Sequence, residues 1–110
     1  QEKEMKPKII RFGHRDFKIK YITHKQAQKR GIYGEVDTTT NIITVDDSLD
    51  NKITSNTILH ELMHVIAEQY HWNFPAKEEE LVCETTGNAL SDLFNQNPDF
   101  INYLVKSFKK

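Results

Sequence analysis

The sequence contains 110 residues, with 15 Lys or Arg against 16 Asp or Glu, which gives a formal net charge of −1. This balance argues against broad electrostatic binding to nucleic acid or to an anionic membrane. The length predicts a single domain over residues 1–110, and the charged residues 1–8 are expected to be disordered. Cys83 is the only cysteine, so an internal disulfide and a thiolate-rich zinc site are both ruled out. Because no stretch resembles a secretory signal or a membrane-spanning segment, we expect a cytoplasmic protein.

The first half of the chain predicts two β-hairpins joined by a short helical segment. Four short runs are rich in apolar and β-branched residues, in part alternating with polar ones. Polar turn residues separate the first run from the second and the third from the fourth. The expected strands are residues 8–12, 17–22, 32–37 and 41–46. One or two helical turns are expected over residues 24–30, ended by Gly31.

The second half predicts three helices. The first should run over residues 55–70, with Thr54 or Ser55 as its N-cap, and its apolar residues cover most of the circumference, which is typical of a buried helix. A second helix should span residues 76–94. Asn97 and Pro98 favour a restart, and the last helix carries Phe100, Ile101, Leu104 and Phe108 on one face. The fold class expected is α+β, with a small antiparallel sheet of two hairpins packed on the first of these helices.

The run His60-Glu61-Leu62-Met63-His64 lies inside that first helix. Residues i and i+4 share one helix face, so both imidazoles can reach one metal ion, while Glu61 points about 100° away, beside the metal. We therefore predict that His60 and His64 bind Zn²⁺ and that Glu61 is a general base. The competing interpretation is a pair of core histidines whose ring nitrogens are satisfied by carbonyl groups or water. His and carboxylate ligands would also accept other divalent metals.

Catalytic zinc usually has three protein ligands, and the third is expected on the following helix. On a helical wheel Glu80 lies at the edge of the apolar face, Glu84 lies towards solvent, and Glu79 points into the apolar arc but sits in the first turn. Glu80 is therefore favoured, with Glu84 as the fallback and Glu79 as a further alternative. The acidic first turn also complements the positive end of the helix dipole. Gly87, two turns beyond Glu80, would allow the two helices to approach closely.

A few other side chains are weaker candidates for residues of this site. His71 lies on the face of the motif histidines but about 10 Å further along the axis, so it could line a cleft without binding the metal. His14 and His24 are expected to be solvated. Tyr33 and Tyr70 are candidates for a hydrogen-bond donor, with packing as the competing interpretation.

The chain resembles the ImmA/IrrE-type family of small zinc metallopeptidases, and in particular its short phage and prophage members. The resemblance covers about residues 32–105. Its motifs are His60-Glu61-Leu62-Met63-His64, Glu79-Glu80-Leu81-Val82 followed by Gly87-Asn88-Ala89-Leu90, and Asn97-Pro98. It implies a minimal gluzincin-like fold in which His60, His64 and Glu80 bind zinc and Glu61 is the base. The small residues around Gly87 depart slightly from the family pattern.

The function expected is hydrolysis of peptide bonds in a protein substrate, in the cytoplasm of a bacterium or of a phage-infected cell. Some members of the family cleave repressor proteins to switch on phage genes, and a regulatory protein is therefore the substrate that the resemblance implies. One rival is a non-catalytic zinc-binding regulatory protein of phage or prophage origin. Another is a nucleic-acid-associated protease of the SprT-like kind, which the balanced charge disfavours.

Overall fold

The computed structural model describes residues 6–109, in which four strands and four helices follow one another along the chain. The strands are β1 (Ile9–Phe12), β2 (Arg15–Ile22), β3 (Gly34–Asp37) and β4 (Ile42–Asp46). The helices are α1 (His24–Arg30), α2 (Asn51–Gln69), α3 (Ala76–Gln96) and α4 (Pro98–Ser107). The predicted α+β class is confirmed. Of these helices, none has the length and apolar character needed to cross a membrane.

The N-terminal residues expected to be disordered fall into two parts. Residues 1–5 lie outside the described residues. The next three run alongside β2, where the Tyr21 hydroxyl donates to the Pro7 carbonyl at 2.6 Å and the Ile19 N–H donates to the Lys8 carbonyl at 2.8 Å.

The sheet has the strand order β1-β2-β4-β3. Both predicted hairpins are present, since β1 pairs antiparallel with β2 and β3 pairs antiparallel with β4. The expectation of a wholly antiparallel sheet is wrong, because β2 and β4 pair in parallel from Lys18 opposite Ile42 to Ile22 opposite Asp46. The connection between these two strands contains α1 and β3, and it is long enough to bring β4 back in the same direction as β2. As a result β4 is a central strand and β3 is an edge strand.

Helix α1 joins the two hairpins. Its N-cap is Thr23, whose side chain accepts from the Gln26 N–H while the Gln26 side chain accepts from the Thr23 N–H, and it ends at Gly31 in the left-handed conformation. This reciprocal pair satisfies two N–H groups that a helix start otherwise leaves unpaired. The predicted helical segment and its glycine stop are therefore confirmed.

Helix α2 packs across the sheet and contributes to the main core. The core cluster consists of Phe17, Ile19, Ile43, Val45, Ile58 and Val65. The helix begins four residues earlier than predicted, because Asp50 is the N-cap and its side chain accepts from the Ile53 N–H at 2.9 Å. Thr54, one of the two predicted caps, is instead buried within the first turns.

Helix α3 packs on α2 through a narrow face. Cys83 and Gly87 are buried, and half-buried residues flank them, namely Val82, Thr86, Leu90 and Phe94. Ala89 and Leu93 are apolar but exposed, because α3 contacts only α2 and α4 extensively. Helix α4 starts at Pro98 as predicted; on its apolar face Ile101 and Leu104 are half-buried and Phe108 is 79% exposed.

Candidate metal centre

Helix α2 carries the motif residues on the side that faces α3 and β3. The rings of His60 and His64 lie one turn apart, with their centroids separated by 5.1 Å. Their side chains are 24% and 21% exposed, while Glu61 is 8% exposed. The two imidazoles are therefore accessible from one side, and the Glu61 carboxylate lies deeper beside them.

The N-terminal turns of α3 bring Glu80 to both histidines. Its two carboxylate oxygens divide between the rings, with Oε1 at 2.8 Å from His64 Nε2 and Oε2 at 3.1 Å from His60 Nε2. One ligand atom from each of the three residues lies within 4.8 Å of the others. The structure thus brings together the three residues predicted as metal ligands.

The other two candidates for the third ligand, Glu84 and Glu79, occupy different positions on α3. Glu84 is exposed to solvent and is not among the residues that line the cleft around the histidines. Glu79 points inward, where its Oε2 lies 2.9 Å from Nδ1 of His64, on the opposite side of the ring from Glu80. Cys83 lies one turn beyond Glu79, and His64 Nδ1, Glu79 and Cys83 form a second group of ligand atoms within 4.8 Å of one another.

Gly87 lies against the backbone of His60 where the two helices pack. A Cβ at this position would lie 3.4 Å from both the Cα and the N of His60, which is the limit of ordinary contact. The expectation that Gly87 allows close approach is confirmed. Because the contact falls on the His60 backbone, this packing also fixes how far the carboxylates of α3 can extend toward the imidazoles.

Burial and neighbouring charges shift the pKa values of three side chains at the site. Burial raises the pKa of Glu61, although the positive character of His60 and His64 opposes this effect. Burial alone would lower the pKa of His64, but the hydrogen bond to Glu79 and the charges of Glu61 and Glu80 outweigh it and raise that pKa above 6.5. Burial, reinforced by the three nearby glutamates, raises the pKa of Cys83 to about 11. At neutral pH and without a bound metal, Cys83 is therefore a protonated thiol.

The edge strand β3 forms the other wall of a cleft above the motif. The cleft has a volume of about 900 Å³ and is lined by β3, α2, the start of α3 and the segment after α2. Gly34 in β3 lies against α2, where a Cβ would overlap the Thr57 methyl group and would lie 3.9 Å from Cγ of Glu61. The absence of a side chain at this position lets the edge strand lie directly beside the predicted general base.

The remaining sequence candidates lie in different places. His71 follows the end of α2 with a positive φ of 57° and lines the cleft, as does Tyr33, which is 68% exposed. Tyr70 instead packs its ring edge-on against Phe12. His14 is exposed in the first turn.

His24 is not simply solvated, because its Nδ1 lies 2.8 Å from the carboxylate of the buried Asp46. Asp46 also accepts from the N–H and the hydroxyl of Ser48. The hydrogen bonds to His24 and Ser48 hold the pKa of Asp46 below its usual value of 3.8, against the effect of burial.

No family model, no curated protein and no solved structure matches this chain. Two features were missed by sequence reasoning, namely the contact of Glu79 with His64 and the packing of Gly34 on α2. The wheel position of Glu79, inside the apolar arc, was the available signal for the first, and the small residue in a β-prone run was the signal for the second.

Proposed function

We propose that this protein is a zinc-dependent metallopeptidase that hydrolyses peptide bonds of a protein substrate. The observation that carries the proposal is the convergence of His60, His64 and Glu80 at the floor of an open cleft, with Glu61 beside them. Two imidazoles and one carboxylate are the donor set of a catalytic zinc site, which keeps its fourth position open. A structural zinc site would usually be built from thiolates and closed to solvent.

The three residues lie close enough together to share one ion. Tetrahedral ligands bound to zinc at about 2.0–2.2 Å are separated by about 3.4 Å. The contacts of Glu80 with His64 and His60, at 2.8 Å and 3.1 Å, use different carboxylate oxygens and are both shorter than this separation, so a shared ion would move the ligand atoms apart. A zinc ion held there would supply Lewis acidity, which activates water and polarises the carbonyl group under attack.

Glu61 is suited to move the proton. Its carboxyl lines the cleft and is largely withdrawn from solvent, and the raised pKa that burial gives it brings it closer to the working range of a general base. In the proposed reaction Glu61 accepts a proton from the attacking water and delivers it to the leaving amine. General acid–base catalysis by a positioned side chain typically contributes about 10²–10⁴-fold in rate.

An extended substrate can bind along β3. Residues 42–46 form the central strand β4, whose two neighbours already pair with it, so they cannot accept a substrate strand. The edge is β3 (Gly34–Asp37), which lines the same cleft as the motif. Backbone pairing to a sheet edge gives affinity that does not depend on side-chain sequence, and here it would lay the substrate backbone across the histidines.

The proposal is tested by comparing wild type with three single-residue variants. Zinc content is measured by elemental analysis and cleavage by mass spectrometry of a proteome-derived peptide library. We expect Glu61→Gln to keep zinc and lose cleavage, and Glu80→Gln to lose both. Glu84→Gln, the matched change one turn along α3, should keep both. Cleavage by Glu61→Gln at the wild-type rate would refute the assigned base.

Two further outcomes separate the rival functions. Zinc bound at one ion per chain with no substrate cleaved would favour a non-catalytic zinc-binding regulatory protein. Absence of zinc after purification and after incubation with excess zinc would contradict both the metallopeptidase and the zinc-binding regulatory protein. His60, His64 and Glu80 would then be an ordinary hydrogen-bonded cluster.

A further inference from the structure

Two consecutive glutamates of α3 contact the two nitrogens of a single imidazole. Glu80 Oε1 lies 2.8 Å from Nε2 of His64, and Glu79 Oε2 lies 2.9 Å from its Nδ1. Among the side chains of residues 6–109, Glu79 is the one that places a carboxylate on the Nδ1 of a motif histidine. His64 is therefore held on both sides, and His60 through Nε2 alone.

We infer that Glu79 is a positioning residue that fixes the tautomer and the ring orientation of His64 for metal binding through Nε2. This inference rests on the zinc-binding function proposed above. A neutral imidazole carries one N–H and one lone pair, so a ring that gives its Nε2 lone pair to a metal must keep its proton on Nδ1. Glu79 is the acceptor for that Nδ1–H. Metal-binding histidines generally donate their second N–H to a carboxylate, carbonyl or water, which orients the ring and makes it a stronger ligand.

The burial of the two glutamates agrees with different roles. The Glu79 side chain is 31% exposed and that of Glu80 is 55% exposed. Glu79 is thus the inner carboxylate, packed between α2 and α3, whereas Glu80 faces the open side of the cleft from which an ion and a substrate would enter. The two adjacent residues of α3 thus reach the two nitrogens of the same ring.

A simpler explanation is that Glu79 only complements the helix dipole of α3. Glu78 and Glu79 both lie in the first turn, and either would be favourable there. Glu78 differs in being exposed, and its contacts do not include a motif histidine. It is therefore a matched control with the same side chain, the same turn and no role in positioning His64.

The test measures zinc affinity by competition with a chromophoric chelator for wild type, Glu78→Gln, Glu79→Gln and Glu79→Ala. Loss of such an outer partner typically weakens metal binding by about 10–100-fold. We expect that loss for Glu79→Ala, a smaller one for Glu79→Gln, whose amide oxygen still accepts a hydrogen bond, and wild-type affinity for Glu78→Gln. Equal affinities for Glu79→Ala and wild type, or equal losses for the Glu78 and Glu79 variants, would overturn the inference.

A second readout separates positioning from simple loss of structure. In the zinc-loaded wild type and in Glu79→Gln, ¹⁵N NMR of His64 should report a protonated Nδ1 and a metal-bound Nε2, with the Nδ1 proton protected from exchange with solvent. In Glu79→Ala we expect that proton to exchange faster. If the Nδ1 proton exchanges equally fast in all three proteins, Glu79 does not hold it. Failure of wild type itself to bind zinc would count against the proposed function, whereas wild-type binding without any Glu79 dependence would count against this inference alone.

Discussion

A methyl group added at Gly34 should loosen the contact between β3 and α2. The new Cβ would overlap the Thr57 methyl group and would lie 3.1 Å from the carbonyl oxygen of Thr44. Thr57 is only 9% exposed, and the Thr44 carbonyl belongs to the neighbouring strand, so neither side can easily move away. Overpacking of a tight interior costs about 1–3 kcal/mol. Because both sides are constrained, we expect Gly34→Ala to lower the free energy of unfolding by about 2 kcal/mol.

Urea unfolding gives a direct measurement of this cost. For a small domain, 2 kcal/mol corresponds to a urea midpoint lowered by about 1–2 M. The change Thr57→Ser removes the overlapping methyl group, so Gly34→Ala should cost much less in the Thr57→Ser background. Contacting residues typically show a coupling energy of about 0.5–3 kcal/mol in such a double-mutant cycle. Strictly additive effects of the two changes would show that the overlap with Thr57 is not the cause.

Two further predictions concern helix packing and pH. Gly87→Ala should be tolerated, because its Cβ would meet the His60 backbone at an ordinary 3.4 Å, whereas Gly87→Leu should push α3 away and weaken zinc binding; equal zinc affinity of the two variants would contradict this. Asp46→Asn should lower the urea midpoint at pH 7, where the carboxylate bonded to His24 is charged. Because the folded-state pKa of Asp46 is lowered from 3.8, its contribution is present above that pH and is lost as the pH falls below it, so the difference between wild type and variant should shrink at pH 3. A difference that does not change between pH 7 and pH 3 would contradict this account.

Local rules were enough to predict the helices and hairpins and most of the candidate site. The spacing of His60 and His64 fixes their common face whatever surrounds the helix, and the turn and cap residues delimit α1 and α3 to within two residues. The start of α2 was predicted too late because residues 51–53 carry no apolar pattern, and several residues near the start are of a type that can act as an N-cap. The structure uses Asp50.

The pairing between the hairpins could not be predicted from the sequence. Alternation in β2 and β4 determines which side chains face the core, but it does not determine which strand lies beside which or in what direction. The consequence for the site is direct, since the parallel pairing of β2 with β4 leaves β3 at the edge beside the motif. The edge that we propose for substrate binding is therefore Gly34–Asp37 and not β4.

The choice among the glutamates of α3 was also only partly predictable. A helical wheel distinguishes Glu84, which faces solvent, from Glu79 and Glu80, which lie near the buried face. It does not give the tilt and separation of two helices, which depend here on the contact of Gly87 with His60. In the structure Glu80 lies at Nε2 and Glu79 at Nδ1 of His64, an arrangement that sequence spacing alone leaves open.

A crystal structure of the zinc-loaded protein would show directly which atoms hold the metal. We predict a single ion bound by Nε2 of His60, Nε2 of His64 and a carboxylate oxygen of Glu80, with Glu79 accepting from Nδ1 of His64 and a water on the cleft side. An ion on the other side of the ring, bound by Nδ1 of His64, Glu79 and Cys83, would contradict the proposed site and the role given to Glu79.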